Sequence, residues 1–474
     1  MNIEKNFVNN QFIDAQDSDL IAVYNPANTE LIAKVPAATE AQVLESVNIA
    51  ARAQKAWRKL TSIERGQWLQ KLADSLVKFS AEIGATLALE SGKSVQDATN
   101  EAIYAADITR YHAEWARRIE GEIIPSDNPN ENLLLQREPI GVVTCLIPFN
   151  FPVYTFLRKV APALITGNTV VVRPSNNTPS SAFVIAKAVQ DAGIPAGVIN
   201  VLTMNHNVAQ ALCTHPKVGM ITLTGSVGAG RKVLEYSQVN IAKSSLELGG
   251  KSPAIVEADA DLARAAREII ASKTTHCGQL CTAIERVYAH ASIYQEFTQL
   301  LQAEMAKVRF GDRAKAPHFM GPLVNENARI NIHQMVERAI DDGATLITGG
   351  YIPGSTGYFY PPTLLVNCRQ DMEIVQEEIF GPVLPVLSYD NIEEALSLAN
   401  DHQLGLASVI YTENYRSAMY LANEIEAGEV YINRTPADPY QGYHAGWKRS
   451  GLGGDDGKHG MLEYTQTRLV VLNY

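Results

Sequence analysis

Ile140-Gly141-Val142-Val143-Thr144-Cys145-Leu146-Ile147 and, farther on, Thr169-Val170-Val171-Val172-Arg173-Pro174 decide the fold class. Both are short apolar runs rich in β-branched residues, the pattern of strands buried on both faces. Between them, residues 156–166 read as a helix that Gly167 can terminate. After the second run, Thr178-Pro179 predicts a new helix with proline at its first position, reaching Gly193. Residues 199–202 and 220–223 continue the alternation as strands. Such a series predicts a parallel α/β sheet with ligands at the carboxyl ends of its strands.

Working outward, residues up to Pro36 read as short strands and turns. Thr39 with Gln42, and Thr61 with Glu64, are capping boxes that open two helices, the first to about Lys59. Residues 94–118 are helical, and Tyr104, Ile108, Tyr111 and Trp115 make a stripe expected to pack. Residues 121–137 change character to a two-stranded excursion too short to stand alone. Beyond residue 247 the alternation resumes: a helix at 261–272, a strand at 286–289, a helix at 293–308. The last residues, 468–474, read as a strand that needs a partner.

The 474 residues leave room for about two or three domains. A formal charge of −11 argues against a nucleic-acid partner or an anionic membrane surface. No apolar run approaches the roughly 18 residues of a membrane span, and the first residues, Met1-Asn2-Ile3-Glu4-Lys5-Asn6, lack the apolar core of a signal peptide. Five cysteines without framework spacing predict free thiols in a reducing, cytoplasmic setting.

Two of those cysteines stand in Thr274-Thr275-His276-Cys277-Gly278-Gln279-Leu280-Cys281-Thr282-Ala283-Ile284-Glu285-Arg286-Val287. On a helix, their spacing would put both thiols on one face. They read as buried structural thiols, as a metal pair lacking further ligands, or as a catalytic thiolate. Upstream, Leu246-Glu247-Leu248-Gly249-Gly250-Lys251-Ser252-Pro253 sets a carboxylate before a Gly-Gly turn, and Pro148-Phe149-Asn150-Phe151-Pro152 pins an amide between prolines. The turn Thr224-Gly225-Ser226-Val227-Gly228-Ala229-Gly230 follows a strand and opens a helix to about Tyr236. Its amides and helix dipole could face a pyrophosphate, though it is not G-x-G-x-x-G and, taken alone, reads more readily as an ordinary loop.

Amide, carboxylate and thiol, in this order along the chain and with these neighbours, resemble the aldehyde dehydrogenase superfamily over essentially the whole chain. Ala113-Glu114-Trp115-Ala116-Arg117-Arg118 and residues 442–460 look like its lactaldehyde and glycolaldehyde dehydrogenase branch, with succinate semialdehyde dehydrogenases next. The resemblance implies an NAD(P)-dependent, non-acylating enzyme and the roles that follow. Cys281 would be the nucleophile, Glu247 the general base, Asn150 an oxyanion donor, and Cys277 packing. Gly225, Ser226 and Gly230 would form the nucleotide turn. In Glu377-Glu378-Ile379-Phe380-Gly381-Pro382, Glu378 would hold the nicotinamide ribose and Phe380 would pack near the nicotinamide. Arg158 and His444 would line the substrate pocket and favour a small polar aldehyde. No metal is expected.

In Arg173-Pro174-Ser175-Asn176 the chain departs from the family, which usually has Lys at position 173 and, in NAD-preferring members, Glu at position 176. A glutamate there would repel a 2′-phosphate, whereas arginine can grip one. NADP is therefore favoured over NAD, with Arg173, Ser175 and Asn176 at the adenosine end. The implied architecture is a Rossmann-like cofactor domain (1–118 and 138–246), an α/β catalytic domain (247–450) and a β-strand oligomerisation arm (119–137 and 451–474), assembled as a homodimer or homotetramer.

Overall fold

The computed structural model describes residues 3–14 and 19–474. It is an α/β fold built on two large sheets. The first has eight strands, and its centre is parallel: Ile199–Val201, Thr169–Arg173, Val142–Leu146, Val218–Thr224 and Lys243–Glu247 lie side by side in that order. Val170, Val171 and Val172 are fully buried, as a strand covered on both faces requires. The second sheet has seven strands drawn from residues 252–432, again parallel at its centre. The strand Lys243–Glu247 is extended by an antiparallel partner from near the other end of the chain, Gly451–Leu452, with Glu247 opposite Gly451.

Both capping boxes form, at the helices Glu40–Trp57 and Ser62–Ser91. The helix expected at Thr178-Pro179 begins differently. Pro179 itself is the cap residue and the helix runs Ser180–Asp191 without a side-chain cap. The orphan amides of Ser180 and Ser181 instead donate to the buried Glu90 carboxylate, at 2.7 and 3.0 Å. A carboxylate from ninety residues away does the work of a local cap, which no local pattern could reveal. The helix Pro152–Ile165 likewise starts earlier than its apolar spacing suggested, because Pro152 suits a first helical turn.

The stripe on the helix Val95–Glu114 packs only in part: Ile108 is buried, while Tyr104 is 60% exposed. The excursion and the terminal strand, which seemed to lack a sheet, supply one another with partners. Glu122–Pro125, Glu131–Pro139 and Thr465–Asn473 make one antiparallel three-stranded sheet. It exposes Ile123, Leu469, Val471, Leu472 and Tyr474. Among the described residues no helix is long and apolar enough to cross a membrane.

Candidate active site

The stretch that holds the two neighbouring cysteines is not an α-helix. Thr275–Gly278 is a short 3-10 turn in which His276 and Cys277 take left-handed φ values of 46° and 58°. The two thiols therefore do not share a helical face. The turn is forced from outside. A side chain at Gly278 (φ 72°) would meet the Gly381 carbonyl at 2.4 Å, and one at Gly250 would meet the Cys281 carbonyl at 2.3 Å. Glycines thus let the Cys281 loop press between the Gly249-Gly250 turn and the Glu378–Pro382 segment.

All five cysteines are free, and Cys281 alone among them is not buried. Burial pushes the Cys145, Cys213 and Cys368 thiols up to about 12 and raises Cys277 further. Those four are inert, protonated core residues. Asn150 is tied to the Cys281 loop: its side-chain amide donates to the Gln279 carbonyl at 3.0 Å, and its Oδ1 accepts from the Phe151 amide at 3.0 Å. The turn that carries Asn150 is itself anchored by Glu101. That buried carboxylate accepts from the Val153 and Tyr154 amides at 2.9 and 3.1 Å and pairs with Lys93 at 2.5 Å. Glu101 so replaces the side-chain cap that Phe151 cannot provide.

Glu247 ends its strand 2% exposed. Neither carboxylate oxygen has a hydrogen-bond partner among the described residues. Burial pushes its pKa up to about 8, against the pull of His444. His444 Nε2 lies 3.3 Å from Glu247 Oε2, and its Nδ1 lies 2.9 Å from Glu429 and 3.5 Å from Asp438. Arg158, also buried, pairs with Asp456 and, at 3.5 Å, with Asp438. Next to it on the same helix, Lys159 pairs with Asp455 at 2.8 Å and donates to Thr222 at 2.9 Å. Arg158 and His444 are thus brought together beside Glu247, through Asp438, with their charges engaged by carboxylates.

The groups expected to hold a dinucleotide converge from two directions. At the end of the strand Thr169–Arg173, the Arg173 guanidinium and the Asn176 amide both donate to the Met204 carbonyl, at 3.5 and 3.3 Å, and His206 Nδ1 is 3.3 Å from Arg173. No described carboxylate pairs with Arg173, and Arg173 Nε and Asn176 Oδ1 are buried without partners. Burial lowers the Arg173 pKa from its usual high value. A lone cation beside unfilled polar atoms suits an anionic ligand rich in hydroxyls. Nearby, Ser226 caps the helix Val227–Asn240 by accepting from Ala229 at 3.2 Å. Gly230 allows close packing, since a side chain there would meet Leu248 at 2.7 Å. In the turn after Arg173, Ser175 Oγ accepts from the Asn177 amide at 3.3 Å.

From the other direction, Glu378 accepts from the Gly250 amide at 3.0 Å. It approaches so closely that a side chain at Gly249 would overlap it at 2.3 Å. Burial and nearby Glu285 push its pKa up to about 7. Phe380, at φ 52°, packs edge-on against Phe149 at 5.8 Å. What holds this strained segment is Glu285, whose oxygens accept from the Ile379 and Phe380 amides at 2.9 and 3.2 Å and pair with Lys251 and Lys273. Glu285, Glu101, Glu429 and Asp438 were not singled out from the sequence. Glu101, Glu285 and Asp438 reach residues far along the chain, Val153, Ile379 and Arg158, and Glu429 reaches His444 across a loop.

Residues 12–470 match the aldehyde dehydrogenase family. The lactaldehyde dehydrogenase of Escherichia coli strain K12 is 45% identical over 98% of both chains. The crystal structure of lactaldehyde dehydrogenase from Escherichia coli superposes with a TM-score of 0.98, at 44% identity and full coverage of both chains. A D-glyceraldehyde dehydrogenase (NADP(+)) of Thermoplasma acidophilum is 35% identical over 99% of this chain and 96% of its own. The Asn150 amide is bonded to the Cys281 loop, that loop presses on the turn that follows Glu247, and the similarity runs the length of the chain: this protein is an oxidoreductase of the aldehyde dehydrogenase family.

Proposed function

We propose that the enzyme oxidises a small polar aldehyde, such as lactaldehyde or glycolaldehyde, to its carboxylic acid without an acyl acceptor other than water. It uses NADP at least as well as NAD. The observation that carries the chemistry is that Cys281 is the one thiol left accessible, on a loop tied to Asn150. Its thiolate adds to the aldehyde carbon. The Asn150 amide and the Cys281 backbone N–H hold the resulting oxyanion, and losing one such donor costs about 2.7–4 kcal/mol. A bound nicotinamide cofactor supplies the hydride acceptor for oxidation of the thiohemiacetal to the thioester. Glu247 then takes a proton from water, which attacks the thioester and releases the acid. As a base with its pKa pushed up to about 8, Glu247 is active when deprotonated, so turnover rises with pH toward that value.

Arg173, Ser175, Asn176, Gly225, Ser226 and Gly230 would bind the adenosine and phosphate end of the cofactor, and Glu378 and Phe380 the nicotinamide end. The polarity of the substrate is supported by Arg158, His444 and Asp438 beside the base, a charged ground unsuited to long alkyl chains. It is also in keeping with relatives named for 2-hydroxyaldehydes. A panel of lactaldehyde, glycolaldehyde, succinate semialdehyde, benzaldehyde and propanal, each with both cofactors, tests the reading. The highest kcat/KM should fall on a small hydroxyaldehyde. Preference for benzaldehyde or succinate semialdehyde overturns the substrate proposal.

A further inference from the structure

Among the described residues the general base has one cationic neighbour within ion-pair distance, and it is not a lysine or an arginine. Glu247 is a buried carboxylate with no hydrogen bond to either oxygen, and His444 Nε2 stands 3.3 Å from Oε2. The imidazole is not free to turn away. Its backbone forms an antiparallel bridge with Asp455, His444 N–H to Asp455 O at 3.0 Å and Asp455 N–H to His444 O at 2.9 Å. The same segment reaches the Glu247 strand through Gly451. On its far side Nδ1 faces Glu429 at 2.9 Å and Asp438 at 3.5 Å. Both carboxylates are held in turn by the Tyr431 hydroxyl, at 2.9 and 3.4 Å. A ring whose two nitrogens each face a carboxylate is built to be an imidazolium.

We propose that His444 is a positioning residue for the base: as an imidazolium braced by Glu429 and Asp438, it favours the ionised form of the buried Glu247 carboxylate and holds it in place between turnovers. This rests on Glu247 being the deacylating base. The electrostatics agree. Burial and Arg158 act to lower the His444 pKa, and Asp438, Glu247 and Glu429 outweigh them, raising it well above the usual histidine value. Of the other charges facing Glu247, Lys159 and Arg158 favour its ionised form and Asp455 opposes it, and Lys159 and Asp455 are already paired. Without His444, desolvation of Glu247 would meet little opposition, and the base would be protonated through a wider range of pH. The group expected to recognise substrate polarity thus serves every aldehyde the enzyme oxidises, polar or not.

The test uses propanal, which offers no hydroxyl for a substrate-binding histidine. The pH profile of kcat is measured for the wild type, His444→Gln, His444→Leu and Glu429→Gln, with a stopped-flow trace of the first turnover. Removing an opposite charge this close shifts a carboxylate by about one unit or more. Both His444 variants should therefore move the ascending limb about one unit or more to alkaline pH. Deacylation becomes limiting below that limb, and a burst of reduced cofactor appears or grows. Glu429→Gln, which weakens the bracing, should move the limb the same way by less, and it decides the matter if the His444 variants do not fold. A limb that stays in place in folded variants, with only the KM for glycolaldehyde raised, overturns the proposal and leaves His444 a substrate group. Failure of the underlying reading looks different: Glu247→Gln would then deacylate at the wild-type rate.

Discussion

Asn176→Glu is the sharpest perturbation of cofactor choice. Asn176 and Arg173 share one acceptor, the Met204 carbonyl, so a carboxylate at position 176 would stand within a few ångströms of the guanidinium. It would act twice on a 2′-phosphate. It would repel the phosphate directly: two unit charges about 6 Å apart at an effective dielectric of about 20 interact by about 2.8 kcal/mol. It would also pair with Arg173, which now has no described carboxylate partner, and so weaken a charge-assisted bond worth about 1.5–3 kcal/mol. Solvent at the half-buried end of the strand screens both effects. A floor of about 1.4 kcal/mol remains, or about tenfold in relative kcat/KM. The carboxylate can also accept from a ribose hydroxyl, which favours NAD. The assay is steady-state kcat/KM for NADP and for NAD with one aldehyde, in the wild type and in Asn176→Glu. A ratio that moves toward NAD by at least about tenfold is expected. An unchanged ratio would mean that position 176 does not face the cofactor, and NAD preferred by the wild type would mean that Arg173 does not meet a 2′-phosphate.

Cys281→Ala should abolish both turnover and thioester formation, while Glu247→Gln should accumulate an acyl enzyme visible as added mass on the intact protein; full steady-state activity in Cys281→Ala would remove the thiol from the mechanism. Gly249→Ala should raise the KM for the cofactor, because its methyl overlaps Glu378, which a cofactor titration reads directly. Glu285→Gln leaves Lys251 and Lys273 buried with their shared carboxylate gone, a change that costs about 3–5 kcal/mol when a buried pair is broken; thermal melting should show a marked loss of stability, and an unchanged Tm would mean that the two lysines find other partners. The three-stranded sheet exposes Ile123, Leu469, Val471 and Leu472, so a homodimer or homotetramer is expected, and light scattering that finds a monomer at micromolar concentration counts against it.

By itself the sequence determined what depends on local pattern. Buried β-branched runs announced the parallel strands at 142–146 and 169–173, and two threonine capping boxes opened their helices within a residue of the expected start. These are legible because a strand or a cap is decided by neighbours a few residues apart. Cys281, Glu247 and Asn150 were singled out for another reason: thiol, carboxylate and amide are residue types suited to a nucleophile, a base and an oxyanion donor, and their flanking glycines and prolines keep an order that resembles a known family. Tertiary structure alone decided which thiol stays accessible, since burial of Cys145, Cys213, Cys277 and Cys368 is a property of the packed core and not of their flanks. It also decided that Cys277 and Cys281 lie on a strained turn instead of a helix, because the Gly381 carbonyl presses on Gly278 from a hundred residues away. His444 shows the division most clearly. Its residue type advertised polar chemistry, but its partner depends on the antiparallel pairing of Gly451–Leu452 with the Glu247 strand. That pairing joins segments about two hundred residues apart, and no local energy term in the chain encodes it.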